Sequence, residues 1–423
     1  MSNPKRTGLL LVMLLLMAAV AAGCGGGGAE AEGKKTVHIY QFKVEISEPL
    51  ARLKTEFEKE HPDIQLDIQS VGGGTDYGAS LRAKFSSGDE PDIFTIGGNR
   101  ERDMWLEYLE DLSEEPWAGD VKELAAEQMT VDGKLYGMPM NLEGYGFIYN
   151  KDLFKQAGIT DKPVTLTQLR EAAEKLKAAG IVPFANGYQE WFVLGNHNVN
   201  VAFAQQPDPE AFITGLTEGT EKFRDNEIFD KWVDLLDVTM EYGNNNPLST
   251  DYNAQVTMFA NGEAAMMQQG NWTQPQLDGI NPDLNLGILP MPIDDTAEDN
   301  DQLYVGVPNN WVINKNSPVK EEAKLFLEWL VTSDTGKKFI TKEFQFIPAL
   351  DSIQATEEEM GPLGAEVLAY TDAGKALSWN WSRLPNGMPN ELYSSIQAYL
   401  GGQLTKEQML DQFQTNWDNL SVQ

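Results

Sequence analysis

Four short stretches set tryptophan beside amides or glycine: Gln269-Gly-Asn271-Trp272, Asn309-Asn-Trp311, Ser378-Trp379-Asn-Trp381 with Arg383 close behind, and Tyr188-Gln-Glu190-Trp191. The last runs on into the polar cluster Gly195-Asn-His-Asn198. These Trp residues fall outside apolar helical spacing, whereas Trp232 and Trp329 sit within amphipathic periodicity and read as packing. A flat ring offers its face to C–H groups, and a planar amide offers a paired donor and acceptor to hydroxyls. The combination suits a neutral, hydroxyl-rich solute in a pocket. The competing reading for each Trp is burial in a core, the commoner fate of that residue.

Polar candidates also collect near the amino-terminal third: Gln41, Lys43, Glu45, Asp76, Asn99 and Arg100, with Glu143 and Tyr145 further on. Asp76 equally suits the cap of the helix it precedes. Arg100 equally suits a solvated charge beside Glu101.

Other chemistries lack their residues. With 32 basic against 64 acidic residues, the chain carries a formal charge of −32, which repels nucleic acid and anionic lipid. One cysteine and three histidines (His38, His61, His197) leave no metal-ligand spacing. Gly72-Gly-Gly74 lacks both the Lys-Ser/Thr of a P-loop and dinucleotide spacing. No metal or other cofactor is expected.

The elements that must position these residues alternate. Val37–Phe42 reads as a strand; Leu50, Leu53 and Phe57 mark a helix stopped by His61-Pro62; Ile64, Leu66 and Ile68 alternate as a second strand. A helix carrying Tyr77, Leu81 and Phe85 closes at Gly88, and Asp92–Ile96 is a third strand. This order implies an α/β fold with a parallel or mixed sheet, whose ligands gather at the carboxyl ends of the strands. Those ends are Gln41–Ile46, Ser70–Thr75 and Gly97–Arg100. Further helices are expected over Leu166–Lys177, Phe229–Tyr242 and after Ser317-Pro318, with Ser317 as the cap.

The amino terminus is an address. Lys5 and Arg6 precede an apolar run, Leu9–Ala22, of signal-peptide length, which ends Ala21-Ala22-Gly23-Cys24. This resembles a bacterial lipobox, with Ala21 where Leu is usual, so residues 1–23 are expected to be removed and Cys24 acylated. Residues 24–35 are glycine-rich and read as a flexible tether. The protein is thus expected on the outer face of the cell membrane, held by lipid.

Five segments in order, FEKEHPDIQLDI (Phe57–Ile68), SSGDEPDIF (Ser86–Phe94), DGKLYGMPMNLEGYGFIYNKDLFKQAGI (Asp132–Ile159), MFANGEAAMMQQGNW (Met258–Trp272) and NSPVKEEAKLFLEWL (Asn316–Leu330), resemble the extracellular solute-binding proteins of ABC importers, in their maltose- and multiple-sugar-binding branch. RLPNGMPN (Arg383–Asn390) resembles the multiple-sugar-binding lipoproteins. The resemblance implies two α/β lobes of the type II periplasmic-binding-protein fold, closing on ligand like a hinged clam. The first lobe would take 36–141 plus 304–347, and the second 142–303 plus 348–423. It implies a monomer that captures a neutral oligosaccharide, with Trp272 facing the sugar, and delivers it to the transmembrane subunits of an ABC permease. The alternatives are an anchored glycoside hydrolase, for which no motif singles out a carboxylate pair, and a sugar sensor or adhesin.

Overall fold

The computed structural model describes residues 34–71 and 77–421; Cys24, the signal and tether segments and Asp76 lie outside them, as does the side chain of Glu45. The strands are β1 (Lys35–Gln41), β2 (Ile64–Ser70), β3 (Ile93–Ile96), β4 (Thr130–Val131), β5 (Lys134–Leu135), β6 (Met138–Pro139), β7 (Glu143–Asn150), β8 (Val182–Ala185), β9 (Ala264–Gly270), β10 (Leu286–Leu289), β11 (Leu303–Gly306), β12 (Asn310–Ile313) and β13 (Ala376–Ser378).

The expected opening units form where the spacing places them. Helix Ser47–Glu60 buries Leu50, Leu53 and Phe57 and ends before Pro62, which cannot continue it. Helix Tyr77–Ser87 buries Leu81 and stops at Gly88, whose φ of +78° is left-handed. These helices connect parallel strands, so β2-β1-β3 forms the parallel half of a five-stranded sheet completed by antiparallel β12 and β6. The helix after Ser317 begins later than expected, at Lys320, because the Ser317 hydroxyl donates to Asp92 Oδ1 (2.6 Å) while accepting from Val319 N–H (3.1 Å).

A second sheet runs β13-β11-β7-β9-β8, with β10 sharing the edge of β7 beyond β11. All eight residues of β7 are buried, as befits a central strand. Helix Leu166–Ala178, capped by the Thr165 hydroxyl on Gln168 N–H, and helix Glu227–Glu241, capped by Asn226, pack on this second sheet's core around Phe147, Phe184 and Trp232. Each sheet thus has its own apolar core, and the molecule has two lobes.

The chain crosses between the sheets at 140–142 and again at 307–309. The crossings are hydrogen-bonded to each other and to a third stretch: Met140 N–H donates to Asn309 O (3.0 Å), and Leu142 N–H to Ile347 O (2.9 Å). Tyr304, expected at the return into the first lobe, instead pairs with Tyr145 in the second sheet, so that return falls after Gly306. Ala349, Leu350 and Ile353, beyond the expected end at Ile347, still pack in the first core because Leu350 bridges to Val121.

Candidate functional site

Where the second sheet meets the gap between the lobes, its strand ends carry a wall of indoles. Trp379 and Trp381 stack with centroids 4.5 Å apart, and Trp272 meets Trp379 edge-on at 6.5 Å. Glycine makes the wall possible. A Cβ on Gly270, at the end of β9, would lie 2.2 Å from the Trp272 ring, and one on Gly306, at the end of β11, would lie 2.6 Å from Trp379. Each indole therefore rests flat on bare backbone. The Trp272 Nε1–H donates to the buried Gln269 Oε1 (3.1 Å), and the Trp379 Nε1–H to Tyr304 O (3.0 Å), so both rings are fixed by their edges.

Behind the indoles lies a hydrogen-bonded support. Asn200 accepts from Asn380 N–H (2.8 Å), pinning the residue between the two stacked Trp, and donates to the Tyr145 hydroxyl (3.0 Å). That hydroxyl donates to His197 O (2.8 Å). Tyr145 is stacked between His197 and Tyr304, and burial holds the phenols of both tyrosines neutral by raising their pKa. His197 touches both Trp272 and Trp381 from beneath, and burial pushes its imidazole down to about 3, so it is neutral at physiological pH. It lies in a π-helical stretch, Val193–Asn198, a rare geometry that frequently marks functional sites.

The facing wall comes from the carboxyl ends of β1 and β3. Gln41 is buried; its amide accepts from Lys43 N–H (2.6 Å) and donates to Lys43 O (3.0 Å) and to the Ser70 hydroxyl. Lys43 reaches over to Glu143 Oε1 (2.6 Å) at the start of β7, an ion pair with side chains only 3% and 7% exposed. Asn141 Nδ2 donates to the same oxygen (3.1 Å), and Asn271 Oδ1 holds Gly144 N–H (2.8 Å). Between these groups is a cavity of about 450 Å³ lined by Lys43, Asn141, Glu143, Asn271, Trp272 and Phe346. A second cavity, of about 610 Å³, lies between Arg82, Arg100 and Met104 of the first lobe and Trp191, Asn196 and Trp381 of the second. The indole wall runs from one to the other.

The fold therefore brings Lys43, Glu143, Asn271 and Trp272 to one cavity, and Arg100, Trp191 and Trp381 to the other, with Trp379 between. Trp191 is 45% exposed and Met104, across from it, 53%, so large apolar faces are left open there. Other expected residues go elsewhere. Trp311 is 3% exposed in β12, packed among Leu330, Ile340 and Phe346, and is a core residue. Tyr188 is fully buried, its hydroxyl bonded to Thr239 Oγ1 (2.5 Å). Glu190 accepts Tyr252 N–H (3.0 Å) and so anchors the start of helix Tyr252–Ala260. Arg383 lines neither cavity; it pairs with Glu127 and Glu210. Gln41 acts through Lys43, and Asn99 meets Ser382. Asn141, Met104 and Ser382 were not singled out by sequence, because a lone amide, thioether or hydroxyl outside a Trp-rich motif carries no spacing signal.

The family model for bacterial extracellular solute-binding proteins matches residues 43–337, more than half of the chain. The chain belongs to this family. Its members are binding proteins, not enzymes. Among relatives of this solute-binding protein, the multiple sugar-binding protein of Streptococcus mutans is 25% identical over 358 residues, 81% of each chain. The melibiose/raffinose/stachyose-binding protein MelE of Bacillus subtilis is 27% identical over 321 residues, 72% of each. A solved structure of the solute-binding protein RafE in complex with raffinose superposes with a TM-score of 0.79 at 20% identity, covering 92% of this chain and all of that one. A chitin oligosaccharide binding protein gives 0.76 at 22% identity, with the same coverage. Both structural likenesses bear on the two-lobed fold. In this solute-binding protein no described helix is long and apolar enough to cross a membrane, and no described cluster of His, Cys, Asp or Glu could hold a metal.

Proposed function

We propose that this solute-binding protein captures a neutral oligosaccharide between its lobes and delivers it intact to the transmembrane subunits of an ABC permease. A lipid on Cys24 would hold it, as a monomer, at the outer face of the membrane. The carrying observation is the indole wall of Trp272, Trp379 and Trp381 facing amides and a compensated ion pair across the gap. Rings take the C–H faces of pyranoses, while Asn271, Asn141 and Glu143 offer planar groups to hydroxyls. In the cavity beside Trp272, Lys43 is paired with Glu143 and Arg52 with Glu48 and Glu343; in the cavity beside Trp381, Arg82 and Arg100 share the lining with Glu101 and Asp103. An anionic sugar would ask for paired, uncommitted cations. The sugars bound by MelE and by RafE support the class, and raffinose and stachyose are the first probes.

The test is calorimetric titration with raffinose, stachyose, maltotriose and chitotriose, with product analysis of the same samples. Micromolar or tighter binding with sugar recovered intact supports capture. Cleaved sugar overturns it in favour of a hydrolase, and no binding across the panel rejects the neutral-oligosaccharide reading.

A further inference from the structure

Beside the larger cavity the two lobes touch through polar groups. The Asn99 amide, at the end of β3, donates to the Ser382 hydroxyl of the second lobe (2.9 Å), and the Arg100 Nε–H donates to Arg383 O (2.9 Å). The Arg383 guanidinium then spans the gap, giving one nitrogen to Glu127 of the first lobe (2.9 Å) and another to Glu210 of the second (3.2 Å). Asn99 makes this reach with φ of +54°, in the left-handed half of the map that a non-glycine residue enters at a cost. Its backbone is fixed there on both sides, since Asn99 N–H donates to Gln128 O (2.9 Å) and Asn99 O accepts from Asp103 N–H (3.0 Å). Strain held in place by packing, and spent on a contact with another lobe, marks that contact as built.

We propose that Asn99, Arg100, Ser382 and Arg383 form a clasp that holds part of the ligand-free population closed. None of its bonds needs a ligand, and all but the Arg383–Glu210 pair, which lies within the second lobe, break when the lobes part. The carboxylates Glu127 and Glu210 are 61% and 78% exposed, so their ion pairs with Arg383 are weakly held. The Asn99–Ser382 and Arg100–Arg383 bonds carry the bias. A closing bias of this kind raises apparent affinity, because the ligand no longer has to drive all of the closure. Losing one such bond should lower the closed-to-open ratio about threefold to tenfold. The inference rests on reading the gap as the binding cleft, but its primary test contains no sugar.

In the full chain carrying Cys24→Ser, nitroxides at Glu107→Cys and Glu218→Cys, exposed positions on the two lobes, report the inter-lobe distance by pulsed electron resonance. The clasp predicts a short-distance population without ligand that shrinks in Asn99→Gly, which removes the donor and relieves the strain, and in Arg100→Met, which removes the donor to the Arg383 carbonyl. Ser382→Ala, the mildest change, should act in the same direction, and circular dichroism checks that each variant is folded. Identical distance distributions in wild type and the folded variants overturn the proposal, as does the absence of any short-distance population in wild type. Raffinose is added only afterwards: failure to bind would remove the sugar reading and leave the distance result standing.

Discussion

Two tryptophans of similar sequence setting, Trp272 after Gly-Asn and Trp311 after Asn-Asn, should separate binding from stability when each is cut to alanine. Trp272 is half-buried, bonded once through its indole to Gln269 and touching Trp379 edge-on. Truncation loses roughly 0.5–1.5 kcal/mol of aromatic contact and about 1 kcal/mol for the hydrogen bond. Gln269 Oε1 is then reached by cleft water, so the stability cost stays at about 2 kcal/mol. Binding suffers more: a rigid aromatic anchor at the centre of a site is worth roughly 2–4 kcal/mol, or about 30-fold to 1,000-fold in Kd. Trp311 is 3% exposed between β3 and β6, with no access to either cavity. Its truncation should cost about 3–5 kcal/mol of stability and leave the Kd of the folded fraction within about threefold of wild type. Urea melts and calorimetric titration with raffinose or stachyose, run on both variants, read the two quantities independently. Raffinose or stachyose affinity unchanged in Trp272→Ala, or lost in folded Trp311→Ala, would refute the assignment of the indole wall.

Three further outcomes follow from the same geometry. The folded pKa of His197 lies near 3, against roughly 6.5 in the unfolded chain. Between those values only the unfolded state takes the proton, so stability falls as pH drops, by about 1.4 kcal/mol per pH unit. The stability difference between wild type and His197→Gln should therefore shrink by about 2 kcal/mol from pH 7 to pH 5 in urea melts, and parallel profiles would reject the buried neutral imidazole. Lys43→Met strands a carboxylate that is nearly inaccessible, so it should cost up to about 3–5 kcal/mol, with most of that recovered in Lys43→Met/Glu143→Gln; an additive double mutant would contradict this. Gly306→Ala puts a methyl into the Trp379 ring, at about 1–3 kcal/mol of stability, and should weaken raffinose or stachyose binding, while a variant binding like wild type would show that the ring's seat is unimportant.

The first sheet was legible because each of its early elements carries its own periodic signal. Leu50, Leu53 and Phe57 mark one helix face, and the alternation Ile64, Leu66, Ile68 marks one strand. The first crossing, expected between 141 and 142, falls at 140–142, but the return differs, since residues 307–309 have no local pattern and are set by pairing with chain more than a hundred residues away. That is why the return expected at Tyr304 falls instead after Gly306. The site was half legible. Gly270 explains why a Gly-x-Trp spacing signals an exposed ring, since the missing side chain is the seat of the indole, whereas Gly306, the seat of Trp379, is distant in sequence and leaves no such signal. Asn309-Asn310-Trp311 has the same composition without that glycine, and its Trp turns into the core. Tyr188 and Glu190 share a motif with the exposed Trp191 yet serve the Thr239 and Tyr252 contacts, because burial there depends on helices distant in sequence.

The distribution of tryptophan also bears on the order of binding. Trp105, Trp117, Trp232, Trp311, Trp329 and Trp417 are buried, and the four that are not, Trp191, Trp272, Trp379 and Trp381, all belong to the second lobe. The first lobe presents Lys43, Arg82, Arg100 and Asn141 instead, groups whose hydrogen bonds are directional and short. Burial of apolar faces is non-directional and acts as soon as a ring is covered, whereas polar groups contribute only once they are aligned. A ligand can therefore settle on the indoles while the lobes stand apart, and gains the first lobe's contacts only on closure. Since a ligand drives closure only through contacts it makes in the closed state, under the proposed function the indole wall is expected to set how well a sugar is held at the outset and the polar edge to set which sugar closes the protein.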